Sequence, residues 1–243
     1  TPFALIMPQT FFQMLQSSED HYQRYIMATF IGILRLAFMI VAFTLPSFYI
    51  ALTTFHPEMI PTTILFNIAT SREVVPFPAL VEVLIMEIFF EGLREAGVRL
   101  PRPIGQAVSI VGALVIGTAA VQAGLVSTLM VIIVSVTGIA SFIIPSYNQS
   151  ISIRLLRFPL IFLGSVLGLF GVLWGIMFMH IHLCKQRSFG VPYMAPDAPL
   201  NYRALKDTII RMPKWAFVTR PKLNENTNTQ RMRNTLSPFW RKK

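Results

Sequence analysis

IGQAVSIVGALVIGTAAVQAGLVSTLMVIIVSVTGIASFII, residues Ile104–Ile144, contains no Asp, Glu, Lys or Arg. A helix needs roughly 20 mostly apolar residues to span a bilayer core, so this run is long enough for two. Gly124 divides it near the middle and leaves almost no loop between the two halves. The stretch therefore predicts two transmembrane helices, Ile104–Gly124 and Leu125–Ile144, joined as a tight hairpin. Pro101 and Pro103 precede it, while Pro145 and the polar run Ser146-Tyr147-Asn148-Gln149-Ser150 follow it. Proline fits the first turn of a helix and disrupts its interior, so both ends are marked.

Outward from the hairpin, Phe158–Cys184 is another charge-free window. Ile26–Leu52 is long enough to span but carries Arg35 inside and Pro46 near its end. Pro76–Gly97 is apolar yet holds Glu82, Glu87, Glu91, Arg94 and Glu95; such a helix spans, re-enters or lies at the interface. The expected fold is all-α: a polytopic integral membrane protein with four or five transmembrane helices and a basic cytoplasmic tail. Its expected divisions are a lead-in segment over 1–25 from a missing N-terminal domain, a transmembrane domain over 26–184, and a partly disordered tail over 185–243. Within the tail a short amphipathic helix is expected near Asn201–Met212.

Composition agrees with this class. Of all residues 53% are hydrophobic and only 13% charged, against about 25% charged in globular domains. Residues 1–184 hold eight Lys/Arg and eight Asp/Glu, whereas 185–243 hold thirteen and three, so the tail carries the whole formal +10. A neutral apolar body with a basic tail suits a protein whose tail meets anionic membrane lipid or the cytoplasm. The tail lacks the regular basic and aromatic patterning of a nucleic-acid module, so no nucleic-acid partner is expected. Placing the tail in the cytoplasm puts Arg99, Arg102, Arg154 and Arg157 on the outer side, against the same charge rule. Cys184 is the sole cysteine, which excludes an intrachain disulfide and a cysteine metal cluster. His180 and His182 lack nearby carboxylates and make a poor metal site. No catalytic constellation appears, so the chain is read as non-enzymatic, without cofactor or metal.

Three patterns are candidates for function. Gly164, Gly168, Gly171 and Gly175 share one helical face, the small-xxx-small pattern that lets backbones approach in lipid. Either helix association between subunits or packing inside one chain accounts for them. Ser127, Val131, Val134, Ser135 and Gly138 fall within one narrow face, with Thr137 pointing away. Such a stripe lines a water-filled path or packs closely with each hydroxyl bonded one turn back. Glu87, Glu91 and Glu95 form an i, i+4, i+8 row, either a solvated polar face or, in a symmetric oligomer, a carboxylate ring that attracts cations. Glu82 and Arg35 stand alone as intramembrane charges. Each costs about 2.5–3.5 kcal/mol on insertion scales and so must face a partner or water; pairing with each other is one solution.

The run Glu91–Gln106, which reads EGLREAGVRLPRPIGQ, is similar to the signature stretch of the A subunits of the GerA spore germination family. So are Ala107–Gly117, Ala120–Gly124, Ile144-Pro145-Ser146-Tyr147, Ile153–Pro159 and Ser188–Tyr193. The likeness covers nearly all of residues 1–220 and weakens after Pro221. It implies an A subunit of a nutrient germinant receptor in the inner membrane of a bacterial endospore. Its implied partners are a permease-like B subunit and a lipoprotein C subunit, with the A subunit forming a homo-oligomer that conducts ions. The ion path would then be Ser127, Val131, Val134, Ser135 and Gly138 with Glu87 and Glu91. A secondary transporter and a scaffold for the other two subunits are the rival readings.

Overall fold

The computed structural model describes residues 8–101 and 115–201, together with 105, 112, 205, 208 and 210–213. These residues are mainly helical, and they divide into two compact units. Unit 1 comprises residues up to Ala37, Ile144–Gln149 and the chain from Phe178 onward; unit 2 comprises Phe38–Ile143 and Ser150–Met177.

In chain order the helices are α1 (Phe11–Met14), α2 (Tyr25–Phe55), α3 (Thr62–Arg72), α4 (Ala79–Arg99), α5 (115–122), α6 (Thr128–Phe142) and α7 (Tyr147–Lys185). Among the described residues, α2 and α7 are long and apolar enough to cross a membrane. Nine of the 21 residues of the expected span Ile104–Gly124 lie outside the described residues, but its end behaves as its sequence dictates. Gly124 sits at φ +66°, with Leu125 N–H donating to Ala120 O and Gly124 N–H to Val121 O. This is the glycine-terminated cap that closes a helix and redirects the chain. A Cβ added at Gly117 would lie 3.4 Å from Val131 Cγ1, so α5 and α6 lie side by side across the turn.

The core of unit 2 takes one stripe from each of four helices. Tyr49 and Ile50 come from α2, Ala79, Val83 and Met86 from α4, Met130, Ile133 and Val134 from α6, and Ile161 from α7. The α4 and α6 positions repeat at three- and four-residue steps, one helical face. The opposite faces are apolar too: Ile132, Ile139 and Phe142 on α6 and Phe162, Val166 and Phe170 on α7 are exposed. Helices apolar on both faces are covered by lipid or by further protein.

The window Phe158–Cys184 was expected to be one span, and here the structure differs. Gly168, at φ +63° and ψ −145°, interrupts α7, and the chain doubles back. A Cβ at Gly164 would lie 3.1 Å from Val172 Cγ2, and one at Gly175 would lie 2.6 Å from Leu160 Cδ1. In a straight helix, residues fifteen apart are roughly 22 Å apart along the axis. The two ends of this helical hairpin, up to Gln149 and from Phe178, both belong to unit 1.

Unit 1 is built around the ends of the chain. Arg187–Ser188 (β1) pairs antiparallel with Val191–Pro192 (β2), through a turn with Phe189 and Gly190 at positive φ. Phe11 N–H donates to Tyr193 O at 2.9 Å, and the two rings meet edge to face. Thr29 Oγ1 accepts Arg211 N–H at 3.0 Å. Half of the amphipathic helix expected near Asn201–Met212, and the tail beyond Pro213, lie outside the described residues.

Candidate functional site

Helix α4 begins after Pro78, which supplies no N–H and suits the start of a helix. Its successive turns present Glu82, Glu87, Glu91 and Glu95, and all four meet a cation. Glu87, Glu91 and Glu95, the row read either as a solvated face or as a carboxylate ring, are each paired with an arginine of the same chain.

Glu82, fully buried, accepts the backbone N–H of Ser127 at 2.9 Å and has Arg72 Nε from α3 at 3.5 Å. Ser127 caps α6, where first-turn N–H groups lack partners and the helix dipole favours a negative charge. Glu82 is thus held for α6's start and for Arg72. Arg35 has a different partner. Its guanidinium grips Asp20, with Nη2 at 3.0 Å from Oδ1 and Nη1 on Oδ2. Asp20 also accepts Ser17 N–H at 3.0 Å. Burial pushes the Asp20 carboxyl up, but the hydrogen bonds from Arg35 and Ser17 and the charges of Arg35 and Arg211 outweigh it and hold the group below its ordinary range. Arg35 and Glu82 do not pair with each other.

Two rungs tie α4 to the first arm of α7. Glu87 takes Arg157 Nη1 on both oxygens, at 2.7 and 2.6 Å. Glu91 takes Arg154 Nη1 at 2.6 and 2.8 Å. The spacing explains the match, since carboxylates four apart on one helix face guanidiniums three apart on another. The Arg157–Glu87 rung is buried on both sides, whereas Glu91 is half exposed. Arg94 bonds only neutral oxygens, Ser141 Oγ at 2.7 Å and Gly138 O at 3.3 Å, and lies over the Phe142 ring at 4.3 Å. Sequence reasoning treated Arg154 and Arg157 as markers of membrane sidedness and missed this role. The complementary spacing of two arginines and two glutamates was the signal for it.

The α6 stripe faces its own chain. Ser127 and Val134 are buried, and Val131, Ser135 and Gly138 are half buried. Gly138 approaches Phe90 of α4, and Ser141 Oγ donates to Gly138 O at 2.6 Å. Thr137, assigned to the other side, is fully buried as well and donates to Val134 O. The glycine stripe of α7 also has its contacts within the chain. Gly164, Gly171 and Gly175 lie where the arms of the hairpin meet, Gly164 also touching Ser47 of α2, and Gly168 is the reversal itself against Phe55 and His56.

Among the described residues no cluster of metal-ligating side chains occurs, and the polar groups gathered between α4, α6 and α7 form a buried charged layer in unit 2.

A family profile described as Bacillus/Clostridium GerA spore germination protein matches residues 1–223. Spore germination protein KA of Bacillus subtilis (strain 168) is 57% identical over 221 residues, covering 91% of this chain and 41% of that protein. Uncharacterized membrane protein YfkQ of the same organism is 54% identical over 231 residues, covering 95% and 45%. Spore germination protein GerLA of Bacillus cereus is 44% identical over 221 residues, covering 91% and 45%. The chain spans somewhat less than half the length of these relatives. No solved structure matches it.

Proposed function

Because this chain belongs to the GerA spore germination protein family, we propose that it is the membrane portion of the A subunit of a nutrient germinant receptor. In this reading it sits in the inner membrane of an endospore, crossing it several times. It assembles with further copies of itself and with permease-like B and lipoprotein C subunits, and it passes ions when nutrient is sensed. The observation that carries the ion-path reading is the seam between α4 and α6. Ser127 and Gly138 meet Glu82 and Phe90 of the helix that bears Glu87 and Glu91, Val134 lies in the core shared with that helix, and Val131 faces Gly117 of α5. The small and hydroxylated residues of α6 make a route that an ion can follow, and its valines close it by excluding water; Glu87 and Glu91 serve that route only when released from Arg157 and Arg154.

The α7 hairpin supports a revised topology. With both its ends on one side, Arg154, Arg157 and the basic tail share a membrane face, and the conflict with the charge rule is relieved for those two arginines.

The test is ion release from spores carrying full-length variants. Val131→Ala and Val134→Ala should release ions several-fold faster without nutrient, while Ile139→Ala, on the exposed face of α6, should match wild type. Silence of both valine variants together with a leak from Ile139→Ala would place the path on the other face. Purified protein in liposomes separates the rival readings: passive ion flux supports a channel, no flux a scaffold, and gradient-driven solute uptake a transporter.

A further inference from the structure

The charged layer between α4 and α7 is not balanced. Arg94, Arg154 and Arg157 lie within electrostatic reach of one another and of two carboxylates, Glu87 and Glu91, leaving one positive charge in excess. Buried charges are normally paired, because an uncompensated ion in a low-dielectric interior is costly. The geometry shows where the counter-charge belongs. Glu87 occupies only Nη1 of Arg157, and among the described residues the Nε and Nη2 hydrogens have no partner although both nitrogens are closed off from solvent. Those two N–H groups point the same way and form the side of the guanidinium that matches two oxygens of one carboxylate or phosphate.

We infer that the unused side of Arg157 is a seat for a single oxyanion, a carboxylate or phosphate group, bound bidentately between α4 and α7. The Arg154–Glu91 rung stands one helical turn away with Glu91 half exposed, so its carboxylate is a neighbouring negative charge that competes with a bound oxyanion. The site binds a negative group whether or not the protein conducts ions. Two sources share this chemistry: a free small anion and an anionic lipid headgroup. The chain's own carboxylates outside the described residues are Asp207 and Glu225.

The experiment uses the full-length protein in phosphatidylcholine nanodiscs at constant ionic strength, followed by its unfolding temperature. Inorganic phosphate or acetate should raise that temperature saturably if the source is free; a rise only when phosphatidylglycerol is included identifies a headgroup. In either case Arg157→Lys, which keeps the charge but lacks the fork, should weaken the effect at least about tenfold. Glu91→Gln removes a competing negative charge and should tighten binding several-fold. No rise in either arm or an equal rise in Arg157→Lys would each overturn the seat, and a rise seen only in an Asp207→Asn/Glu225→Gln variant would overturn both outside sources by showing that the chain's own carboxylate fills it. Should Arg157→Lys fail to fold, Glu91→Gln decides: tightening supports the seat, and unchanged affinity refutes it.

Discussion

Arg35 in unit 1 and Arg157 in unit 2 carry the same guanidinium into apolar helices, but they hold their carboxylates differently. Arg35 uses two nitrogens on the two oxygens of Asp20, and its Nη1 also reaches Leu15 O at 3.4 Å. Arg157 places both oxygens of Glu87 on one nitrogen and leaves its side-on pair empty. Asp20 comes from a turn only fifteen residues away, free to adjust to the arginine. Glu87 comes from a helix seventy residues away whose position is set by its own packing. A local partner gives a closed clamp, whereas a partner fixed by the core gives a half-used one. Interiors this densely packed do not let one side chain optimise alone.

The largest expected effect comes from breaking the half-used pair. Glu87→Ala leaves Arg157 buried and unpaired, which costs about 3–5 kcal/mol, read as lost unfolding free energy in mild detergent. A loss below about 1 kcal/mol would mean that Arg157 already has another anion. Next is the arm that carries Arg157. At Gly171 an added side chain meets the backbone oxygen of Leu163 and Leu167 Cβ at 2.7 Å, and backbone cannot move aside cheaply. Gly171→Leu should therefore cost roughly 3 kcal/mol, the upper range of overpacking. It should also splay the hairpin, read as new labelling of a cysteine placed at Leu160. A stable, unlabelled variant would disprove the fold-back.

Asp20→Asn tests the closed clamp, with an expected loss of about 1.5–3 kcal/mol. The carboxyl is held below its ordinary value of 3.8 in the folded protein. Its contribution is therefore complete above that value and is lost as pH falls through the depressed one. The wild-type protein should lose stability in that acid range, and Asp20→Asn should lose less there. Parallel pH curves for the two proteins would exclude Asp20 as the titrating group.

These contrasts mark what the residues disclosed. The turn at Gly124 was legible because a glycine dividing two charge-free runs, each of spanning length, is where the chain reverses at least cost. Helix α6 was expected over Leu125–Ile144 and spans Thr128–Phe142, because the cap at Gly124 and the Ser127–Glu82 bond use up its first residues. The reversal at Gly168 was hidden, since length and apolarity are the same for one long helix and for two arms. The glycine spacing did report close backbone contact, but not that the contact was with the same chain. The rungs from α4 to α7 join residues 63 and 70 apart, and such pairings depend on how helices pack, which periodicity alone does not state.

The smallest effect belongs to the exposed arginine–glutamate pair of α4, and it isolates burial as the variable. Arg99 Nη2 lies 2.7 Å from Glu95 Oε1, as close as the buried rung, but the two side chains are 78% and 56% exposed. Water screens the attraction, and holding two long side chains together costs rotamer freedom. The order is favourable, since a glutamate four residues before an arginine suits the helix dipole. Arg99→Ala should nevertheless cost only about 0.3–0.5 kcal/mol, and half a molar salt should reduce even that. The informative measurement is the ratio of the Glu87→Ala and Arg99→Ala losses in the same detergent. Close to ten, it says that low dielectric and the unmet charge set the energies of this layer. Near one, it says that α4 lies in a water-filled cleft, where Arg157 is hydrated and needs no oxyanion.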